Sequence, residues 1–215
     1  MSVRNGAAVP SPIKAVVFDV GNVLYHWDPR FLYERLIDDD QALAAFLRDV
    51  VTQEWHFQHD AGRPFAETSA ELIARYPEHE ALIAAWGPRF NESIGGPVPG
   101  MAEIVRALDS AGVPLYAITN FSGEFWPPFR ATAPELFDRF RDVVVSGDEK
   151  LVKPDPAIYA LALRRFGLGE GEAVFVDDNA ANVAAAEAAG FHAVLFTDAD
   201  AFRAELTRLG LLESA

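Results

Sequence analysis

The chain holds no cysteine among its 215 residues. That absence removes disulfides, thiolate metal sites and cysteine nucleophiles together. Positive charge is also scarce: 18 Lys and Arg stand against 32 Asp and Glu, a formal net charge of −14. An acidic surface of this kind repels nucleic-acid phosphates and anionic membranes over a Debye length of about 8 Å, so neither is an expected partner. There is no uninterrupted apolar run of about 18 residues, the length a membrane helix needs. The first twelve residues, Met1 to Pro12, contain two prolines and one arginine but no apolar h-region, and read as a flexible tail (1–12) on a cytoplasmic protein.

Half of the chain is hydrophobic and 12% is aromatic, enough to bury a core without covalent or metal staples. Five short apolar runs stand out: Ala15 to Phe18, Leu115 to Thr119, Val143 to Ser146, Ala173 to Val176 and Ala193 to Phe196. Most are continuous rather than alternating, as a parallel sheet covered on both faces requires. Between the later runs the spacing is helical, with Met101, Ile104, Val105 and Leu108 on one face and an alanine-rich stretch from Ala180 to Ala189 closed by Gly190. Alternating strands and helices imply an α/β fold, a doubly wound (Rossmann-like) parallel sheet.

The interval from about Asp28 to Pro97 breaks that alternation, having helical periodicity (Phe31, Leu32, Leu36, Ile37; Phe65, Leu72, Ile73, Tyr76) but no convincing strand. It is far longer than a crossover helix needs, so an inserted all-helical domain is expected over 28–97, with the core formed by 13–27 and 98–215. The cluster Gly95, Gly96, Pro97, Pro99 and Gly100 reads as a hinge, and Pro127-Pro128 as a loop breaker.

In open parallel sheets ligands bind beyond the carboxyl ends of the strands. The polar residues there are Asp19, followed by Gly21; Thr119 and Asn120; Lys153 after the third run; and Asp177 and Asp178 after the fourth. Three carboxylates brought together raise one another's pKa and call for a cation. Oxygen ligands without histidine or cysteine suit Mg²⁺, completed by substrate phosphate oxygens. A shielded aspartate can then attack phosphorus to form an aspartyl-phosphate, while Lys153, Thr119 and Asn120 hold the phosphoryl oxygens.

The runs D-V-G-N-V-L at 19–24, I-T-N at 118–120, K-P-D-P at 153–156 and V-D-D-N at 176–179 resemble the four ordered motifs of the haloacid dehalogenase superfamily, and the helical interval resembles its cap. The resemblance covers nearly the whole chain from Ile13. It implies Asp19 as nucleophile and metal ligand, the Gly21 carbonyl and the acids Asp177 and Asp178 as further ligands, and Thr119, Asn120 and Lys153 as phosphate binders. Typical phosphatases of that family carry a second aspartate, the general acid, where this chain has Gly21; a subgroup resembling sugar-phosphate phosphatases also has glycine there.

These residues also have bland roles, since Asp19 can be a turn residue and Asp177 to Asn179 a helix cap. Lys150 competes with Lys153, and the cap patch Trp55, His56, Phe57, His59 and Asp60 is ordinary helix core before it is a substrate contact or a zinc site. The expectation is a Mg²⁺-dependent hydrolase that removes phosphate from a small phosphorylated metabolite. Its alternatives are a metal-independent 2-haloacid dehalogenase, which also uses Asp19, and a catalytically silent phosphate-binding protein. Two adjacent acids, Asp177 and Asp178, would repel a carboxylate substrate, which favours the first.

Overall fold

Apolar residues on both sides of a strand need cover on both sides, and the chain supplies it. The structure, a computed structural model, describes residues 13–213; the tail expected over 1–12 lies outside the described residues. In chain order it runs β1 (Ala15–Phe18), β2 (Tyr25–Trp27), α1 (Arg30–Tyr33), α2 (Asp40–Asp49), α3 (Gln53–Asp60), α4 (Phe65–Arg75), α5 (Glu80–Ala85) and β3 (Ile94–Pro97). Then follow α6 (Met101–Ser110), β4 (Leu115–Thr119), α7 (Trp126–Arg130), α8 (Pro134–Phe137), β5 (Asp142–Val145) and α9 (Ser146–Glu149). The chain ends with α10 (Pro156–Phe166), β6 (Ala173–Asp177), α11 (Ala180–Ala188), β7 (His192–Leu195) and α12 (Ala199–Arg208).

The five apolar runs form one parallel sheet in the order β5-β4-β1-β6-β7, each within a residue of its expected bounds. Alternate residues of β1 serve opposite faces. Val16 and Phe18 join Met101, Ile104, Leu108, Phe202 and Leu206 on one side, whereas Ala15 and Val17 join Ile158, Tyr159, Ala162 and Ala186 on the other. The sheet is therefore a doubly wound α/β layer. Its strand order reverses at β1, which lies between β4 and β6, so the ends of these three strands surround the crevice where ligands bind in such sheets.

Helices α1 to α5 lie between β2 and β3, as the helical periodicity implied. Asp39 caps α2 by accepting from the Ala42 amide at 2.8 Å, and Thr52 caps α3 by accepting from Trp55 at 3.2 Å. Two local expectations fail. Ile94–Pro97, read as a hinge in a strandless interval, is a strand that pairs antiparallel with β2 through Trp27↔Ile94 and Tyr25↔Pro97. Glycine and proline hide it because they carry little β-propensity; the ribbon has only two strands, so Pro97 sits on an edge, where its missing N–H is tolerated. Pro127-Pro128 does not break structure either, since both lie in the first turn of α7, where an amide hydrogen has no helical partner to lose.

The end of α3 is fastened to the main sheet by close backbone approach. The Ser146 hydroxyl donates to the Asp60 carbonyl at 2.6 Å and accepts from the Phe121 amide at 2.9 Å. Beside this latch a Cβ on Gly147 would stand 2.9 Å from the Phe121 carbonyl oxygen and closer still to the Gly123 amide, and neither can swing aside. Gly147→Ala is expected to cost about 1–3 kcal/mol, the range for overpacking, read as a lower urea midpoint at unchanged slope. Gly96→Ala, where an added Cβ meets nothing within 4 Å, is the comparison; equal midpoints for the two variants would contradict the close-packing argument.

Candidate active site

The centre is a buried ion triad. Lys153, in the loop between α9 and α10, is 2% exposed, with Nζ 2.8 Å from Asp19 Oδ1 and 2.6 Å from Asp177 Oδ2. The register of β1 on β6, with Phe18 opposite Val176, brings the two acids side by side at the next position. Burial works against the ammonium, but Asp19 and Asp177 outweigh it and hold the Lys153 pKa above its ordinary value. The Phe175 ring lies 5.6 Å from Nζ. Asn120 fixes the lysine backbone from both ends, accepting from its amide at 2.8 Å and donating to its carbonyl at 3.0 Å. Lys150 is a cap residue at φ +55° at the end of α9 and takes no part.

The two oxygens of Asp19 are unlike. Oδ1 accepts from the Val20 amide at 2.6 Å as well as from Lys153, whereas Oδ2 has no protein partner among the described residues. Asp177, fully buried, is saturated: Oδ1 takes the Asn179 amide at 2.8 Å and Asn182 Nδ2 at 3.0 Å, and Oδ2 takes Lys153 and Asn182. Asn182 went unread in the sequence; its signal is an amide one turn into an otherwise alanine-rich helix, five residues after Asp177. Thr119 is buried, outside the cavity lining, and its hydroxyl has no partner among the described residues.

Asp19, Asp177 and Asp178 each offer a carboxylate oxygen within 4.8 Å of the others, the one such group of metal-ligand side chains among the described residues. Three carboxylates, Asp19 and Asp177 buried and Asp178 exposed at the mouth, outnumber one ammonium. Burial, with Asp177 adding and Lys153 opposing, holds Asp178 above the usual carboxylate range; burial likewise raises Asp19, with Lys153 opposing and Asp177 adding. A hard divalent cation fits both the oxygen donors and the missing charge.

These groups open into a cavity of about 440 Å³, within the size range of small-ligand sites. Asp19, Gly21, Asn120, Lys153 and Asp178 lie on it, faced by Tyr25, Trp27, His56, Phe57, Asp60 and Phe90 from β2 and the helices that follow. Of the sequence-flagged patch, His56, Phe57 and Asp60 therefore reach the cavity. Trp55 is buried against Trp86, with centroids 6.1 Å apart, and His59 Nε2 lies 2.6 Å from Thr68 Oγ1. Burial, and then His59, lowers His56 to about 3; burial, and then Arg63, lowers His59 to about 4, so both rings are neutral. Asp60 is 5% exposed and goes the other way, raised to about 8 by burial and by Asp19, with Lys153 and the Ser122 amide opposing.

These shifts fix signs for stability. The histidines bind protons less tightly folded than unfolded, so their contribution is whole above the ordinary value of 6.5 and is lost as pH falls toward about 3. Asp60 binds its proton more tightly folded, so its contribution is whole below the ordinary 3.8 and is lost as pH rises to about 8. Asp60→Asn is therefore expected to exceed the wild type in Tm by a margin that widens as pH rises from 5 to 9; parallel Tm profiles across that range would contradict the assignment.

The family model of haloacid dehalogenase-like hydrolases matches residues 13–190. A sesquiterpene phosphatase of Aspergillus oryzae is 30% identical over 199 residues, covering 91% of this chain and 96% of its own. A phosphoglycolate phosphatase of Thiobacillus denitrificans is 26% identical, over 84% of this chain and 82% of its own. Among solved structures, a HAD-like family hydrolase from Porphyromonas gingivalis superposes with a TM-score of 0.70 at 24% identity, covering 93% of this chain and 98% of that one. A HAD family enzyme from Bacteroides thetaiotaomicron, solved with magnesium and inorganic phosphate, gives 0.65 at 20% identity over 86% and 95%. With most of its length matched by the family model, the chain belongs to the haloacid dehalogenase-like hydrolases.

Proposed function

We propose that the protein is a phosphatase that removes phosphate from a small phosphorylated metabolite, with Asp19 as nucleophile and Mg²⁺ as cofactor. The observation that carries this is the asymmetry of Asp19: Lys153 and the Val20 amide fix Oδ1, while Oδ2 is left without a protein partner on the wall of the cavity. A carboxylate oriented by one oxygen and free at the other is set for attack on phosphorus. The names of the two phosphatase relatives support the reaction; they differ in the organic group, so they do not choose the substrate.

Asp19, Asp178 and the Gly21 carbonyl would hold the ion, with Asp177 the third acid of the cluster. Bound there, Mg²⁺ would neutralise the carboxylates and draw an anionic ester into an acidic protein. Lys153 directs its charge at the phosphoryl site, and the Asn120 clamp keeps that charge in place. The segment 28–97 acts as a cap, its rings excluding water and meeting the organic part of the substrate. Metal-independent release of halide from a 2-haloacid is the competing reaction, and the excess of buried negative charge argues against it.

Incubation with a panel of small phosphate esters is expected to release phosphate with Mg²⁺ and to stop with EDTA. Asp19→Asn should abolish release, and Lys153→Met should lower kcat by at least about 10²-fold, as for loss of one charge stabiliser. Halide release from 2-chloropropionate without metal would overturn the reading.

A further inference from the structure

Breaking the P–O bond of an alkyl ester leaves an alkoxide, a poor leaving group until it takes a proton. The groups at the phosphoryl end are otherwise committed. Asp19 forms the new bond, the Lys153 ammonium is fixed between two carboxylates, both Asp177 oxygens are filled by donors, and Asn120 has no acidic proton. Gly21, on the loop after the nucleophile, has no side chain, and a Cβ built on it would meet nothing within 4 Å.

Asp60 faces the same cavity from the last turn of α3. Its Oδ1 is buried without a hydrogen-bond partner and Oδ2 lies 3.4 Å from His56 Nε2, beyond a strong hydrogen bond, while the Ser122 amide and the Lys153 charge act on the carboxyl in favour of its ionised form, against burial. No lysine or arginine forms an ion pair with it among the described residues. Its backbone is held by the Ser146 hydroxyl at 2.6 Å, so the carboxyl has a fixed place and an uncommitted oxygen.

We propose that Asp60 is the general acid and base of this site, a role that rests on the phosphatase reading above. As the Asp19 Oδ2–phosphorus bond forms and the ester P–O bond breaks, Asp60 gives its proton to the departing oxygen, which leaves as the alcohol. Water then attacks phosphorus, one of its protons passes to the Asp60 carboxylate, and the phosphorus–Asp19 bond breaks. Asp19 is regenerated ionised, Asp60 is regenerated protonated, and phosphate leaves as the monohydrogen dianion. Burial in the apolar wall of the cavity favours the neutral carboxyl, and the nearby imidazole, itself buried, is too weak a base to take that proton. Tyr25 is the other hydroxyl acid on the cavity; burial and Glu135 push its pKa above an already high value, which makes it the poorer donor.

The test uses leaving groups of different acidity on the full-length enzyme with Mg²⁺. Asp60→Asn is expected to lose at least about 10²-fold in kcat/KM on an alkyl phosphate, the low end of general acid assistance, while keeping most of its first-turnover burst with 4-nitrophenyl phosphate. That phenolate leaves without help, so the retained burst also reports a folded site. In the wild type, kcat/KM across substituted phenyl phosphates should vary weakly with phenol acidity, a measurement that needs no variant. Equal losses on both esters, a steep wild-type dependence, or a leaving-group-selective loss in Tyr25→Phe in place of Asp60→Asn would each overturn the role of Asp60 and leave the phosphatase reading standing. No phosphate release from any ester by the wild type would remove that reading and this one with it.

Discussion

Everything at the centre depends on keeping one ammonium ion dry between two carboxylates. Taking the charges of Lys153, Asp19 and Asp177 out of water is costly, and their attraction offsets that cost only when geometry is tight and spare lone pairs are filled. The surrounding residues meet those conditions: Asn182 and the Asn179 amide fill Asp177, Val20 fills one oxygen of Asp19, Asn120 grips the lysine backbone, and Phe175 offers a ring face. The register of β1 on β6 and the start of α11 serve the same end, because a slip of one residue would turn either acid into the core. Fold and site are therefore one construction.

The helices between β2 and β3 contribute the opposite chemistry. Trp86, Tyr33, Phe90 and Phe125 pack in one continuous apolar cluster with the sheet, and the two histidines within it stay neutral. Several of its polar atoms, including Trp27 Nε1 and His56 Nδ1, are buried without partners. Such a surround strengthens the charges that face it, since little water competes for them.

Much of this was legible in the chain itself. Strands covered on both faces show as unbroken apolar runs, and Asp19, Asn120, Lys153 and Asp177 end or follow them in an order that a parallel sheet converts into proximity. What was hidden has physical reasons. Ile94–Pro97 is a strand only because Tyr25–Trp27 pairs with it, since its own residues carry no β signal. The prolines of α7 read as breakers because proline looks alike at the start of a helix and outside one. That the Asn120 side chain spends its bonds on the Lys153 backbone, and that Asp177 has none to spare, depends on partners 33 and 5 residues away, which spacing alone cannot rank. Asp60 was visible only as a member of an aromatic patch, because its burial and its lack of a lysine or arginine ion pair among the described residues are properties of the folded surroundings.

The meeting of Gly62, Gly123 and Gly147 bears on how such proteins diversify. A Cβ on Gly62 would lie 2.7 Å from the Gly147 carbonyl oxygen, so the inserted helices are seated on α9, which itself packs on the loop after β4, as well as joined through the β2–β3 ribbon. The inheritable module is thus scattered along the chain. A chimera that exchanges 28–97 alone inherits a foreign seat, and one that also carries the loop at 121–123 and the start of α9 at 146–147 brings the matching surface with it.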